Sequence, residues 1–178
     1  MDSEGYAKAL ATYDQSLLIQ PKSVPAIQAT LAEEGADNKL AAGVMQTGTY
    51  TSDYYTQSQA AKKRAGETGL AMDTVFTATS YPIFPLATAD GGGLILYALT
   101  RNAVTYVKKK GGRLPAPARD VAPLLDTLVL KDQLQVWTTL QFATYVPAAV
   151  KTKGVAQPKA DVIGADGGVT NAITQTTS

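Results

Sequence analysis

Two residue types that carry much of enzyme chemistry, histidine and cysteine, are absent from this 178-residue sequence. Without histidine there is no side chain that titrates near pH 7 unperturbed, and no Ser-His-Asp or Cys-His arrangement. Without cysteine there is no disulfide, no thiolate nucleophile and no cysteine-based zinc or iron–sulfur site. These two absences exclude much of the enzyme repertoire, while chemistry by paired Asp or Glu carboxylates stays open.

The glycine cluster Gly91–Gly93, in "TADGGGLILYAL", is the first candidate for a phosphate site. A phosphate cradle needs glycines between a strand and a helix, so that backbone N–H groups face the anion. The run Leu94–Leu99 has no helical period, and neither GxxxxGK[ST] nor GxGxxG occurs. We therefore predict a turn into a covered central strand, and a second such turn at the repeated "ADGG" of 165–168.

Nucleophiles and paired carboxylates give no catalytic pattern. The serines form neither GxSxG nor SxxK, and no DxDxDG loop suggests calcium. Six scattered acids flank predicted strands and are interpreted as caps and turn residues: Asp73, Asp90, Asp126, Asp132, Asp161 and Asp166. We expect no catalytic residue, no metal and no cofactor.

The charge is nearly balanced, with 16 basic against 15 acidic residues. A net charge of +1 creates no overall field toward nucleic acid or a membrane surface, so no nucleic-acid partner is expected. The basic triplets Lys62–Arg64 and Lys108–Lys110 are interpreted as a solvated loop and as a strand end that discourages edge pairing. In both cases the alternative is a docking patch for an anionic partner.

A candidate ligand surface lies on the predicted strand Leu134–Val146, whose residues alternate between an apolar and a more polar face. The more polar face carries Gln135, Trp137, Gln141 and Tyr145, an aromatic and amide surface suited to a sugar or another small ligand. The alternative is that Trp137 packs under an N-terminal helix. A strand this long must bend or carry a bulge.

Helical patterns precede the strands. An apolar stripe predicts a helix over 4–20, and a second helix is predicted between a Ser23 cap and Gly35. Residues 36–48 are ambiguous. A strand around Thr49–Tyr55, followed by a surface loop, is predicted next.

The strand region begins at residue 73, where the period changes to two. We predict a strand that bends or reaches a sheet edge at Pro82 and Pro85, because proline cannot donate to a ladder. Ala103–Val107 is either a hairpin partner of Leu94–Leu99 or the same strand continued. A loop over 108–120, and short strands at 160–164 and 169–173, complete the predicted elements.

This order predicts one domain over 1–178, ordered over about 4–173, with a polar C-terminal tail. The fold class is α+β, with N-terminal helices packed on a curved antiparallel β-sheet. The long strand with one apolar face favours an NTF2-like or cystatin-like cone or roll.

Three segments carry a resemblance to a known group: "VFTATSYPIFPLATADGGGLILYALTR", "LQVWTTLQFATYV" and "VIGADGGVTNA". In their order they resemble the extracytoplasmic domains of actinobacterial lipoproteins of unknown function, over about residues 6–173. The resemblance implies an exported, cell-surface or membrane-anchored protein, with the signal and the lipidated cysteine upstream of Met1. It implies no activity and no functional residues.

The leading hypothesis is a non-enzymatic extracytoplasmic domain that binds a protein or a cell-envelope component. The alternative is a cone-fold domain with an internal pocket for a small ligand, including an enzyme that uses Asp or Glu. A third hypothesis is a subunit that assembles through an exposed sheet edge.

Overall fold

The computed structural model describes residues 7–109, 112–127, 129–150 and 157–176. Helices come first and an antiparallel sheet follows, so the predicted α+β class is confirmed. The helices are α1 (Val24–Glu34), α2 (Lys39–Val44) and α3 (Asp53–Glu67). The strands are β1 (Leu70–Ala78), β2 (Phe84–Ala87), β3 (Gly93–Val107), β4 (Gln133–Val146) and β5 (Asp161–Gln175).

The central strand of the sheet is β3, which is continuous from Gly93 to Val107. The strand order is β1-β3-β4-β5, and β2 pairs with β3 on the same side as β1. Ala78 of β1 lies opposite Leu99, and Phe84 of β2 lies opposite Leu96. The connection 79–83 therefore bends away from β3 between the two short strands. The bend predicted at Pro82 is confirmed, and Ala103–Val107 continues the central strand.

Strand β4 confirms the long strand predicted at this place. It keeps an unbroken register with β3, and its irregularities lie on the side of β5. The register shifts opposite 137–138 and 143–144, so Thr170 and Ile163 of β5 are the extra residues. The bend that a long strand requires is therefore accommodated by two bulges in its neighbour.

The core lies between the helices and one face of the sheet, which we call the inner face. Strand side chains alternate between faces, so every second residue of β3 and β4 points into this core. Its large buried members include Leu17, Val24, Leu31, Met45, Ile95, Leu99, Phe142 and Val146.

Helix α1 begins and ends as its sequence predicts. Pro25 lies in the first turn, and Ser23 is the N-cap residue, although its side chain makes no capping hydrogen bond. Gly35 ends the helix with φ of 75°, a conformation that favours glycine. A Cβ added there would lie 2.8 Å from the ring of Tyr55, so close packing also requires glycine.

The helix predicted over 4–20 is wrong for its described part, because residues 7–20 contain no helix. Ala9 forms a bridge with Leu86 of β2, and the Ala87 N–H donates to the Lys8 carbonyl at 2.8 Å. Pairing with β2 gives these backbone groups the partners that a helix would otherwise supply. Residues 4–6 lie outside the described residues.

The strand predicted at Thr49–Tyr55 and the loop after it are also wrong, since α3 covers Asp53–Glu67. Tyr54 anchors this helix on the sheet, with its ring centroid 5.3 Å from that of Phe76. The basic triplet Lys62–Arg64 therefore lies on a helix, and Lys62 Nζ is 3.2 Å from the Asp73 carboxylate.

The two "ADGG" segments have different structures. The first is the predicted turn, in which Thr88 N–H donates to the Gly92 carbonyl at 3.0 Å and Gly91 has φ of 84°. The second lies inside β5, so the predicted strand–turn–strand is one continuous strand. A Cβ at Gly167 would lie 2.6 Å from the Thr139 carbonyl oxygen. Glycine at 167 thus allows β5 to approach β4 closely.

The ambiguous stretch 36–48 contains α2, in whose first turn the Ala41 N–H donates to the Asn38 Oδ1 at 2.9 Å. The predicted loop 108–120 has no helix or strand in its described part, while Lys110 and Gly111 lie outside the described residues. Residues 177 and 178 of the predicted tail also lie outside them.

A buried polar network joins α1 to the centre of the sheet. The Tyr97 side chain is 5% exposed, and its hydroxyl donates to Gln28 Oε1 and lies 2.8 Å from Thr144 Oγ1. Gln28 Nε2 in turn donates to the Tyr50 carbonyl at 2.7 Å. Burial raises the pKa of Tyr97 well above its ordinary value. The phenol therefore stays neutral, and every member of the network has a partner.

The variant Tyr97→Phe should destabilise the protein by about 1–3 kcal/mol, because Gln28 Oε1 and Thr144 Oγ1 lose a partner inside the core. Urea unfolding measures this change in the free energy of unfolding. Tyr13→Phe is the matched control, since Tyr13 is 65% exposed, and its effect should stay within about 0.5 kcal/mol. Equal stability of the two variants would contradict the role of the network.

The carboxylate of Asp90 organises the first "ADGG" turn. Its oxygens accept hydrogen bonds from Thr88 Oγ1 at 2.5 Å, Gly92 N–H at 3.1 Å and the Tyr145 hydroxyl at 2.7 Å. The bonds from Thr88, then Tyr145 and Gly92, lower the pKa of Asp90 to about 2. The turn therefore surrounds its own carboxylate rather than a phosphate.

Because the pKa of Asp90 is lower in the folded protein, the ionised carboxylate contributes stability above its unfolded pKa of about 4. That contribution is lost as the pH falls through about 2. The melting temperature of Asp90→Asn should accordingly fall less between about pH 5 and pH 2 than that of the unmodified protein. Asp161→Asn is the control, since its carboxylate accepts no hydrogen bond from the described residues. Parallel pH profiles for the unmodified protein and Asp90→Asn would refute the assignment.

Candidate ligand groove on the outer face

The face of the sheet opposite the helices, which we call the outer face, carries the other set of alternating side chains. The register between β3 and β4 is unbroken, so the alternation holds along both strands. Leu96 lies opposite Ala143, and Ala98 lies opposite Gln141, all on this face. The outer face thus has an apolar centre over β3 and β4.

An open groove of about 610 Å³ lies over this centre. Its floor consists of Leu96, Ala98 and Ala143, and its wall is formed by the aromatic side chains of Tyr81 and Phe84. The wall exists because the connection 79–83 leaves the sheet between β1 and β2. Thr79 Oγ1 holds that connection to the sheet by donating to the Ala98 carbonyl at 3.2 Å.

The wall exposes two large aromatic side chains. Phe84 is 56% exposed and Tyr81 is 59% exposed, whereas Ala98 on the floor is 8% exposed. Adjacent exposed aromatic and apolar side chains are typical of a surface that another molecule covers.

The opposite rim of the groove is polar and is formed with β5. Gln141 of β4 lies directly opposite Asp166, and both line the groove. A second, shallower depression of about 500 Å³ continues from it along β5 and shares Tyr81, Gln141 and Asp166. Gly167, Gly168 and two threonines, Thr139 and Thr170, also line it.

Among the residues that the structure describes, Asp166 is the only charged side chain that lines either depression. One carboxylate oxygen accepts a hydrogen bond from the Gly167 N–H at 2.8 Å. Among the described residues the only ion pair is Lys62–Asp73, so Asp166 has no basic partner there. The rim therefore carries a negative charge that the described part of the chain does not neutralise.

The four candidate ligand residues lie on the outer face, as their alternation predicts, but the groove uses one of them. Gln141 lines it. Gln135 Nε2 donates to Asn102 Oδ1 at 3.0 Å, and Tyr145 donates to Asp90, so both have structural partners. Trp137 lies level with Asn102 outside the groove. The alternative that Trp137 packs under a helix is wrong, because the helices cover the other face.

Sequence reasoning did not identify Tyr81, Phe84 or Asp166 as site residues. A signal for the first two exists: each adjoins a proline at a predicted bend, where a regular strand cannot bury an aromatic ring. Asp166 was interpreted as a turn residue because it precedes two glycines.

The interior between helices and sheet offers no comparable site in the described residues. The buried polar side chains there are Gln28, Thr51, Ser52, Ser58 and Thr144, and no Asp or Glu is among them. The described residues also contain no cluster of acidic side chains spaced to hold a metal ion. No helix within these ranges is long and apolar enough to cross a bilayer.

Comparisons with known proteins give one match. Neither the curated proteins nor the solved structures contain a match to this chain. The predicted NTF2-like or cystatin-like cone is therefore untested and stays a prediction. A family model described as a domain of unknown function covers residues 1–173. The chain thus belongs to the family DUF8094.

Proposed function

We propose that this chain is a non-enzymatic binding domain that takes a protein or cell-envelope component into the outer-face groove. The groove combines an apolar floor with a few polar groups at one rim, a composition typical of binding sites. The volume of the groove is large enough for one apolar side chain or a small ring of the ligand, together with the ligand groups next to it.

The exposure of Tyr81 and Phe84 over the apolar floor is the observation that carries this proposal. Tyr81 lies in a connection whose ends are fixed by β1 and β2, and Phe84 is the first residue of β2, so little backbone entropy is lost when a ligand covers either ring. Burying an aromatic side chain of this kind contributes roughly 1.5–3 kcal/mol. Two such rings supply an anchor of the kind that dominates binding energy at interfaces.

We also propose an extracytoplasmic location, with attachment to the cell surface through a lipid anchor upstream of this chain. The resemblance to actinobacterial lipoprotein domains supports it, and so does a sequence in which only 17% of the residues are charged. Labelling of intact cells of the source organism with an antibody to this domain tests the location. Labelling only after cell lysis would refute it.

Selection from a random peptide library displayed on phage tests the groove. Peptides selected on the immobilised protein should bind Phe84→Ala at least about tenfold more weakly, because the anchoring ring is lost. Titration calorimetry measures the affinity. Val75→Ala is the matched control, since Val75 is 47% exposed on β1 but does not line the groove.

A glycan array, probed in parallel, separates the two classes of ligand within the proposal. Binding to saccharides that depends on Phe84 would identify a cell-envelope component rather than a protein. Selected ligands that bind Phe84→Ala and Val75→Ala equally well would place binding elsewhere and refute the groove as the site.

A further inference from the structure

We infer that the partner is an extended polypeptide segment that adds to β5 as a sixth strand, with an apolar side chain in the groove and a basic side chain beside Asp166. This inference rests on the proposed function, because it names the ligand class of the same groove. Addition of a strand to a sheet edge is a recurring mode of peptide recognition.

The two edges of the sheet differ in how they are covered. At the first edge the Phe76 N–H of β1 donates to the Glu33 carboxylate at 2.7 Å, and the chain around Ala9 pairs with β2. At the second edge, β5 has a strand partner on the β4 side only, within the described part of the chain, and the short 3₁₀ helix Ala122–Leu124 lies close to β5 without pairing with it. The bridge of Met45 to Ala160 comes just before β5 begins.

The central part of β5 is a regular stretch with an open outer edge. Residues 164–169 pair in register with 138–143 between the bulges at Ile163 and Thr170, a length of six residues. No described backbone group outside β4 bonds to this stretch. Six residues match a typical short strand, so one extended segment can pair along its whole length.

The composition of 164–169, "GADGGV", does not protect the edge. Natural edges are blocked by lysine, proline or dense charge, and this stretch has neither lysine nor proline and only one charge. A Cβ placed on Gly168 would meet nothing within 4 Å, so the outer face is open above this residue. The edge is therefore accessible to another backbone.

The groove begins at the same stretch of β5. Gly164 and Asp166 both line it, and Gly164 has no side chain to close the rim. A strand paired to β5 would lie about 4.8 Å farther out, with every second side chain on the outer face. A long apolar side chain at such a position can lean across the Gly164 rim toward Ala143, the part of the floor nearest to β5.

The charge of Asp166, which no described residue neutralises, selects a basic neighbour in the added strand. Opposite charges across neighbouring strands stabilise the pair, whereas an acidic residue there would be repelled. The exposed ring of Tyr81, which lines both depressions together with Asp166, also favours a cation through its negative face. The segment is therefore extended, apolar at alternate positions and basic at one of them.

The probe is a blocked eight-residue peptide that alternates valine or leucine with threonine and carries one arginine on the side of the apolar residues. Two control peptides each differ from this parent peptide in one respect. One is N-methylated at alternate backbone nitrogens, and the other has citrulline in place of arginine. Binding is measured by calorimetry, and hydrogen exchange of the protein amides is followed by NMR spectroscopy.

The parent peptide should slow exchange of outward-facing amides within 164–169 at least about tenfold, because these amides gain carbonyl partners. N-methylation should weaken binding at least about tenfold, since it removes backbone donors. Citrulline should weaken binding by about three- to tenfold on the unmodified protein and have no effect on Asp166→Asn.

Each other outcome decides between the inference and the proposed function. Binding that depends on Phe84, without slowed exchange at 164–169 and without an effect of N-methylation, refutes strand addition and leaves the groove proposal standing. Slowed exchange with unchanged affinity of Phe84→Ala refutes the groove instead. Failure of the peptide to bind at millimolar concentration overturns the inference, while phage-selected or glycan ligands still test the groove. If exchange at 164–169 is already slow without peptide and slows further as the protein concentration rises, the strand that pairs with β5 belongs to a second copy of this chain. That result overturns the inference.

Discussion

The hydroxyl group of Tyr97 sets the constraint on which the packing of this domain depends. A phenol in the middle of the central strand cannot be buried without hydrogen-bond partners, and Gln28 and Thr144 supply them. Gln28 is itself fully buried and held by the Tyr50 carbonyl. This chain of bonds fixes the position of α1 and of the segment before α3 relative to the sheet, where apolar contacts alone would permit small shifts.

The inner face is thereby fully used for stability, and the outer face is available for other purposes. Its apolar centre is covered only in part, by a connection that leaves the sheet between two short strands. The exposed rings of Tyr81 and Phe84, the polar rim with Asp166 and the open edge of β5 all meet there. Stability and the proposed binding thus depend on opposite faces of the same strands.

Elements whose bounds depend on local residue patterns were predicted correctly from the sequence. The alternation of β4 and the proline, cap and glycine signals of α1 identified both elements close to their observed bounds. The failures have tertiary causes. The apolar spacing before Pro21 suits a helix, but this segment pairs with β2 instead. The glycines of β5 are typical of a turn, but glycine is required at position 167 because β4 approaches this residue closely. Of the candidate site, Gln141 was predicted from alternation, whereas Tyr81, Phe84 and Asp166 come together only through the connection 79–83.

The division of one side of β3 between β1 and β2 separates binding specificity from folding in evolutionary terms. Residues inserted into or deleted from 79–83 would change the height and reach of the aromatic wall, while both flanking strands keep their register with β3. Surface connections tolerate such length changes at little thermodynamic cost. If the proposed function holds, changes in the length of this single connection would alter what the groove binds, on an otherwise constant scaffold.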